Sequence, residues 1–169
     1  MKRLVIIRHA KTEQQNYHKD FDRELLERGR NDAKNIASDL KEWKIIPQKM
    51  ISSPAKRAIT TAGIYADELG YPFNNIEVIE GLYFEFTTTD FIELIQKTPD
   101  NIDTLFIFGH NPFMHYMAQN MSANFDGHMP TCSTVVLDFE IDSWKAIEAR
   151  KGLLFLHLYP KIYNEEGRQ

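Results

Sequence analysis

Four side chains that can bind or attack a phosphoryl group follow three segments with the pattern of β-strands. Arg8 and His9 come directly after an apolar run, Arg57 lies three residues beyond Pro54, and His110 follows a third apolar run. In open α/β sheets the ligand crevice lies outside the carboxyl ends of the strands, so these side chains are expected to converge there. Arginine binds phosphoryl oxygens in a bidentate manner, and a neutral imidazole is a nucleophile near neutral pH. The set therefore predicts phosphoryl transfer.

Each of these residues taken singly also has a plainer interpretation. Arg8 could be an ordinary surface arginine, and Arg57 alone is typical of the solvated face of a helix. His110 lies in a Gly-His-Asn-Pro turn that Gly109 and Pro112 explain without any function for the histidine. The expected convergence of all four residues on one sheet edge is what favours a site.

The elements that must position these side chains alternate along the chain. The apolar run at residues 4–7 is typical of a strand buried on both faces, and further strands are predicted at 49–52, 76–79, 104–108, 134–139 and 153–159. Apolar residues at three- and four-residue steps predict helices at 26–43, 55–69, 89–97 and 113–121. This order predicts an α/β fold of three layers, with a mixed, mostly parallel central sheet flanked by helices.

The composition fits one domain over residues 1–169, with 43% apolar residues and 12% aromatic residues to form a core. A net charge of −4 disfavours nonspecific nucleic-acid binding, so a phosphate-bearing ligand needs a local basic site. Cys132 is the only cysteine, which excludes an internal disulfide and fits a reducing compartment. The first apolar run is too short for a signal peptide or a membrane span, so we expect a cytoplasmic protein without membrane attachment.

The motifs resemble those of the histidine phosphatase superfamily, whose fingerprint is an Arg-His-Gly triplet at the first strand. The matching residues are Arg8-His9-Ala10, Ser53-Pro54 with Arg57-Ala58 and Thr61, and Gly109-His110-Asn111-Pro112. The stretches from Asp22-Arg23 to Gly29, at Leu82-Tyr83 and at Met129-Pro130-Thr131 are similar to SixA-type phosphohistidine phosphatases. The resemblance covers residues 2–160 and implies a phosphoglycerate mutase-like fold in a compact form without a large cap insertion.

The resemblance implies a role for each residue of the four. His9 would be the nucleophile that forms a phosphohistidine intermediate, while Arg8, Arg57 and His110 would bind the phosphoryl oxygens and stabilise the charge of the transition state. Neither a metal nor another cofactor would be needed. Without a cap, the pocket is expected to be open.

Two departures from the superfamily pattern concern Ala10 and the general acid. Ala10 stands where a glycine is usual, and its methyl group is expected to be tolerated because alanine is the next smallest residue. Members that act on alcohol phosphates use a carboxylate near the third strand, and Glu80 and Glu85 both lie in that neighbourhood. Glu85 is the candidate general acid, although a solvated loop glutamate is the simpler interpretation.

An open pocket and a leaving group that needs little acid assistance favour a phosphorylated protein carrying phosphohistidine as the substrate. A small-molecule phosphomonoester phosphatase of the same fold stays open as an alternative. So does a noncatalytic module that binds phosphoproteins, although the presence of His9 argues against it. A metal-binding protein using His9, His110, His115 and His128 is a further alternative, disfavoured because the sequence contains no zinc-binding motif.

Overall fold

A six-stranded mixed sheet forms the centre of the protein in a computed structural model, which describes residues 1–14 and 19–160. The strands lie in the order β3-β2-β4-β1-β5-β6. Neighbours among the first four are parallel, whereas β5 is antiparallel to both β1 and β6. The predicted mixed, mostly parallel sheet is confirmed. The strands are β1 (Lys2–Arg8), β2 (Lys49–Ser52), β3 (Glu77–Val78), β4 (Thr104–Gly109), β5 (Thr134–Phe139) and β6 (Leu153–Leu158).

Four helices cover the two faces of the sheet, because successive residues of a strand point to opposite sides. Val5 and Ile7 of β1 belong to a buried cluster that includes residues of α1 (Glu27–Glu42) and α2 (Lys56–Leu69). Leu4 and Ile6 belong to a second cluster, formed with α3 (Thr88–Gln96) and α4 (Phe113–Met121). The predicted three-layer α/β/α architecture is confirmed. None of the described helices has the length and apolar character that a membrane crossing requires.

Helix ends agree closely with the sequence signals. Helix α2 ends at Gly70, which has a φ of 75° in the left-handed region that glycine adopts at little cost. Helix α3 begins with a capping box, in which the Asp90 N–H donates to the Thr87 hydroxyl and the Thr87 N–H donates to the Asp90 carboxylate.

The start of α1 packs closely on the segment that follows β1. The Leu26 N–H donates to the Lys11 carbonyl oxygen at 2.9 Å. A Cβ atom on Gly29 would lie 2.2 Å from the same oxygen, so only glycine permits this approach. Helix α1 therefore supports the segment that leads away from Arg8 and His9.

Candidate active site

The four predicted side chains lie together at the carboxyl ends of three adjacent parallel strands. Arg8 pairs with Gly109 in the β1–β4 register, which places His9 and His110 on neighbouring strand ends with ring centroids 5.2 Å apart. Arg57 enters from the first turn of α2, directly after β2. We call Arg8, His9, Arg57 and His110 the Arg/His cluster.

The backbone and one ring nitrogen of His9 are held in place by hydrogen bonds. Its N–H donates to the Gly109 carbonyl at 3.0 Å, and its carbonyl accepts from the Cys132 N–H at 2.9 Å. The ring Nδ1 lies 2.8 Å from the Ala10 carbonyl oxygen. Because a carbonyl can only accept, Nδ1 carries the proton and Nε2 carries the lone pair. This is the tautomer that a nucleophilic histidine requires.

Burial keeps both histidines of the cluster neutral. Loss of hydration lowers the pKa of His9 to about 3, an effect that the hydrogen bond to Ala10 opposes and the nearby His110 and arginines reinforce. Loss of hydration, followed by the charge of Arg57, lowers the pKa of His110 to about 4. At neutral pH the positive charge of the cluster therefore resides on the two arginines, and His9 is a neutral imidazole with an unprotonated Nε2.

Ser53 orients the second histidine. Its hydroxyl oxygen accepts the Ala55 N–H at 3.2 Å and lies 2.8 Å from Nε2 of His110. The hydroxyl hydrogen can donate to Nε2, and in that arrangement the imidazole proton lies on Nδ1. His110 can then act as a hydrogen-bond donor through Nδ1.

The cluster contains buried nitrogens without hydrogen-bond partners. Within the part of the chain that the structure describes, four buried side-chain atoms lack a partner, and three of them are Arg8 Nε, Arg57 Nε and His110 Nδ1. Unpaired buried polar groups cost free energy and are rare in native proteins. Three nitrogens of this kind in one cluster are suited to an anion with several oxygens.

Arg57 is a buried residue rather than a solvated residue of the helix surface. Its Nη1 donates to the Asp20 carbonyl at 2.6 Å and its Nη2 donates to the Asp20 carboxylate at 3.0 Å. The Tyr83 hydroxyl donates to the same carboxylate at 2.7 Å, and the Arg57 guanidinium lies 6.0 Å from the Tyr83 ring centroid. Arg57 is consequently held on one side by Asp20 while its Nε remains unpaired.

Three residues of the cluster are largely buried. His9 is 6% exposed, Arg57 is 5% exposed and His110 is 7% exposed. The covering residues include Asp20, from a short 3-10 helix (Asp20–Asp22), and Tyr83, from a second one (Glu80–Tyr83). Two short turns therefore lie against the cluster, and the open pocket expected from the sequence stays a prediction.

Ala10 fits without backbone strain. It is fully buried, and it is not among the described non-glycine residues that have a positive φ, which are Lys44, Cys132 and Arg150. Its N–H donates to the Thr61 hydroxyl at 3.0 Å, and that hydroxyl donates to the Arg57 carbonyl at 2.7 Å. Thr61 thus ties the segment after His9 to the helix that bears Arg57.

Glu85 and Glu80 are not brought into the cluster. Both side chains are exposed, and Glu85 lines a groove beside α3 to which no member of the Arg/His cluster contributes. The carboxylate that lies against the cluster is that of Asp20. Burial raises the pKa of Asp20 and hydrogen bonds from Tyr83 and Arg57 lower it, with a net decrease below the ordinary value. Asp20 is therefore ionised at neutral pH. A general-acid role of Glu85 stays a prediction.

No metal-binding group stands out in residues 1–14 and 19–160, where no three His, Cys, Asp or Glu side chains gather to hold an ion. His115 and His128 instead stack on each other, with ring centroids 5.6 Å apart, in a separate surface groove. The four-histidine metal site considered from the sequence is thus not assembled in the described structure.

Sequence reasoning missed the contribution of Asp20. No local pattern links it to Arg57, which is 37 residues away, because their contact is set by the packing of an irregular turn on α2. Tyr83 and Thr61 were included in the resembling motifs, but their hydrogen bonds could not be derived from spacing.

Comparison with protein families gives one match over most of the chain. The model of the histidine phosphatase superfamily (branch 1) matches residues 4–112, a segment that contains all four cluster residues. An uncharacterised chloroplast protein of Arabidopsis thaliana is 29% identical over 160 residues, covering 89% of this chain and 72% of the relative.

Comparison with solved structures gives matches over nearly the whole chain. The protein histidine phosphatase SixA in complex with tungstate has a TM-score of 0.81 at 18% identity, covering 95% of this chain and 99% of that one. A protein of Agrobacterium tumefaciens assigned as phosphohistidine phosphatase SixA has a TM-score of 0.78 at 25% identity, covering 94% of this chain and 98% of that one. A mycobacterial glucosyl-3-phosphoglycerate phosphatase has a TM-score of 0.66 at 17% identity, covering 92% of this chain and 98% of that one.

Proposed function

The chain belongs to the histidine phosphatase superfamily, and from this premise we propose that it hydrolyses phosphohistidine on a protein through a phosphorylated His9. The observation that carries the proposal is the fixed tautomer of His9. Its Nδ1 proton is held by the Ala10 carbonyl, and its Nε2 lone pair is available in a cluster with two arginines.

In the first step Nε2 of His9 attacks phosphorus, and the bond between phosphorus and the substrate imidazole breaks. The bonding electrons return to the leaving ring, which departs as neutral imidazole because its other nitrogen carries a proton in the reactive form of the substrate. The phosphoryl oxygens are bound by Arg8, Arg57 and Nδ1 of His110. In the second step water attacks phosphorus, the bond to His9 breaks, and inorganic phosphate leaves with the protons of the water. His9 is regenerated as a neutral imidazole.

The charge state of the site supports a phosphoramidate substrate over an alcohol phosphate. An alkoxide leaving group needs a proton donor, and the described carboxylate at the cluster, Asp20, has a pKa below its ordinary value. Because Asp20 is ionised at neutral pH, it has no proton to give. An imidazole leaves with less assistance, so the site is suited to phosphohistidine.

A small-molecule phosphomonoester phosphatase is the second candidate, supported by the similarity to the mycobacterial glucosyl-3-phosphoglycerate phosphatase. The structures assigned as SixA have higher TM-scores, which supports the first candidate. The cytoplasmic location expected from the sequence belongs to this proposal, as does catalysis without a metal or cofactor.

The test is phosphate release from a phosphohistidine protein and from a panel of phosphoesters, each with and without a chelator. We expect faster release from the phosphohistidine protein and no effect of the chelator. Tungstate is expected to raise the melting temperature by binding the folded state, and the Arg8→Ala variant is expected to lose most of this increase. Faster turnover of phosphoesters would favour the second candidate. Tungstate bound elsewhere in a crystal would contradict the site.

A further inference from the structure

Three aromatic side chains lead from the Arg/His cluster to the protein surface. The Tyr83 ring lies 5.8 Å from the His110 ring, and it contacts the rings of Phe21 and Phe84 at 5.2 Å each. Phe84 is 62% exposed and Phe21 is 38% exposed. We call Phe21, Tyr83 and Phe84 the aromatic rim. Exposed aromatic side chains that adjoin a site are typical of surfaces that bind another protein.

A groove of about 310 Å³ continues from the aromatic rim along α3. Phe84 is one of its lining residues, and the other apolar ones include Leu82, Phe86 and Leu94. The exposed carboxylates of Glu85 and Glu93 lie along the same groove, which Asp90 and Lys97 also line, so three carboxylates face one ammonium group. We call this feature the acidic groove. It offers apolar contact together with negative charge.

We propose that the aromatic rim and the acidic groove dock the segment of a phosphorylated partner protein that flanks its phosphohistidine, and that this segment carries aliphatic and basic side chains. The inference rests on the proposed function, because the rim is anchored at His110 through Tyr83. Aliphatic side chains would cover the exposed Phe84 ring, and lysine or arginine would pair with Glu85 and Glu93.

This arrangement gives Glu85 a role in binding the partner segment. Its carboxylate lies beside the exposed Phe84 ring rather than in the Arg/His cluster, so it can select the partner without touching the phosphoryl group. The negative charge of the groove also contrasts with the positive charge of the cluster. A partner segment with one anionic phosphohistidine and basic neighbours would match both.

The test compares two synthetic phosphohistidine peptides of equal length with the small anion phosphoramidate. One peptide has leucine and lysine on both sides of the phosphohistidine, and the other has serine and glutamate. For the wild-type protein we expect kcat/KM to be about tenfold or more higher on the leucine-lysine peptide. Phe84→Ala is expected to raise KM for that peptide by about tenfold and to leave phosphoramidate hydrolysis unchanged.

Two further variants test the charge of the acidic groove and provide a control for the loss of an exposed phenylalanine. The double variant Glu85→Lys with Glu93→Lys is expected to shift the preference toward the serine-glutamate peptide, as reversal of the groove charge requires. Phe73→Ala is the matched control, because Phe73 is 56% exposed but lines a different groove, between α1 and α2. It is expected to behave as the wild type on all three substrates.

The outcomes separate docking from chemistry. Equal use of the two peptides by the wild type, or a parallel loss of all three substrates in Phe84→Ala, would overturn the docking proposal alone. Failure of the wild type to hydrolyse phosphoramidate and both peptides would instead refute the proposed function on which it rests.

Discussion

Replacing Arg57 with alanine separates a role in phosphoryl binding from a role in folding. Arg57 is buried at the start of α2, and its Nη atoms are held by Asp20 while Nε has no partner among the described residues. If the guanidinium binds the phosphoryl group in the transition state, its loss should resemble the removal of an oxyanion donor. That loss is about 3 kcal/mol, or roughly 100-fold or more in kcat/KM.

The expected cost to folding is smaller. Arg57→Ala removes two hydrogen bonds to Asp20, but the Asp20 carboxylate is half exposed and keeps its bonds to Tyr83 and Arg23. The carboxylate can regain water, so we expect a decrease of about 1 to 2 kcal/mol in the free energy of unfolding. This exceeds the ~0.5 kcal/mol typical of an exposed arginine, because Arg57 is buried.

The assay measures kcat/KM and the urea midpoint on the same preparation. Lys56→Ala is the matched control, because Lys56 precedes Arg57 on α2 and pairs instead with the surface residue Glu24. It should change neither quantity appreciably. A domain with an unfolding free energy of about 5 kcal/mol or more stays folded after a loss of 2 kcal/mol, so unfolding cannot cause a 100-fold decrease in rate. An Arg57→Ala variant with nearly wild-type kcat/KM, or with activity that follows the folded fraction, would refute the reasoning.

Four further predictions concern the nucleophile, the pH dependence, the general acid and α1. His9→Ala should abolish turnover by several orders of magnitude, measured as phosphate release, and substantial residual activity would remove its assignment as nucleophile. The pKa values of His9 and His110, about 3 and about 4, lie below the 6.5 of an unfolded histidine, so the unfolded state binds more protons in this range. Stability measured by urea unfolding should therefore decrease as pH falls from 6.5 to 4, and a His9→Asn variant should show a shallower decrease. Glu85→Gln should leave the hydrolysis of an alkyl phosphoester, whose alkoxide needs a proton donor, near the wild-type rate, whereas loss of a true general acid would reduce it by about 100-fold or more. Gly29→Ala should destabilise the protein by about 1 to 3 kcal/mol, seen as a lower urea midpoint, because its Cβ would collide with the Lys11 backbone.

The fold and the cluster could be predicted because their signals are local and periodic. The run at residues 4–7 alternates between two buried clusters, and any strand with this pattern needs cover on both faces. The carboxyl end of such a strand in a parallel sheet fixes the place of Arg8 and His9. Helix α4 and strand β5 have the bounds that apolar spacing and flanking turn residues indicate.

The surroundings of the cluster could not be predicted, because they depend on contacts between irregular segments. Asp20 reaches Arg57 from a turn without periodicity. The 3-10 turn at Glu80–Tyr83 directs the Tyr83 ring toward His110 and leaves Glu85 exposed, so proximity in sequence to β3 did not place the glutamate in the site. Trp144 lies in a polar stretch yet is fully buried, with its indole N–H donating to the Ile102 carbonyl.

The place of β1 in the middle of the sheet has a consequence for biosynthesis. Its two neighbours are β4 and β5, and Thr104 of β4 follows Arg8 by 96 positions. At roughly 5 to 20 residues per second, a ribosome needs on the order of 5 to 20 s to deliver the first partner. During that interval the apolar run of β1 has no partner strand from its own chain. The charges of Lys2, Arg3 and Arg8 at its ends oppose its association with other nascent chains. The charge of Arg8, which lies in the cluster of the folded protein, is thus also expected to oppose aggregation of the newly synthesised segment.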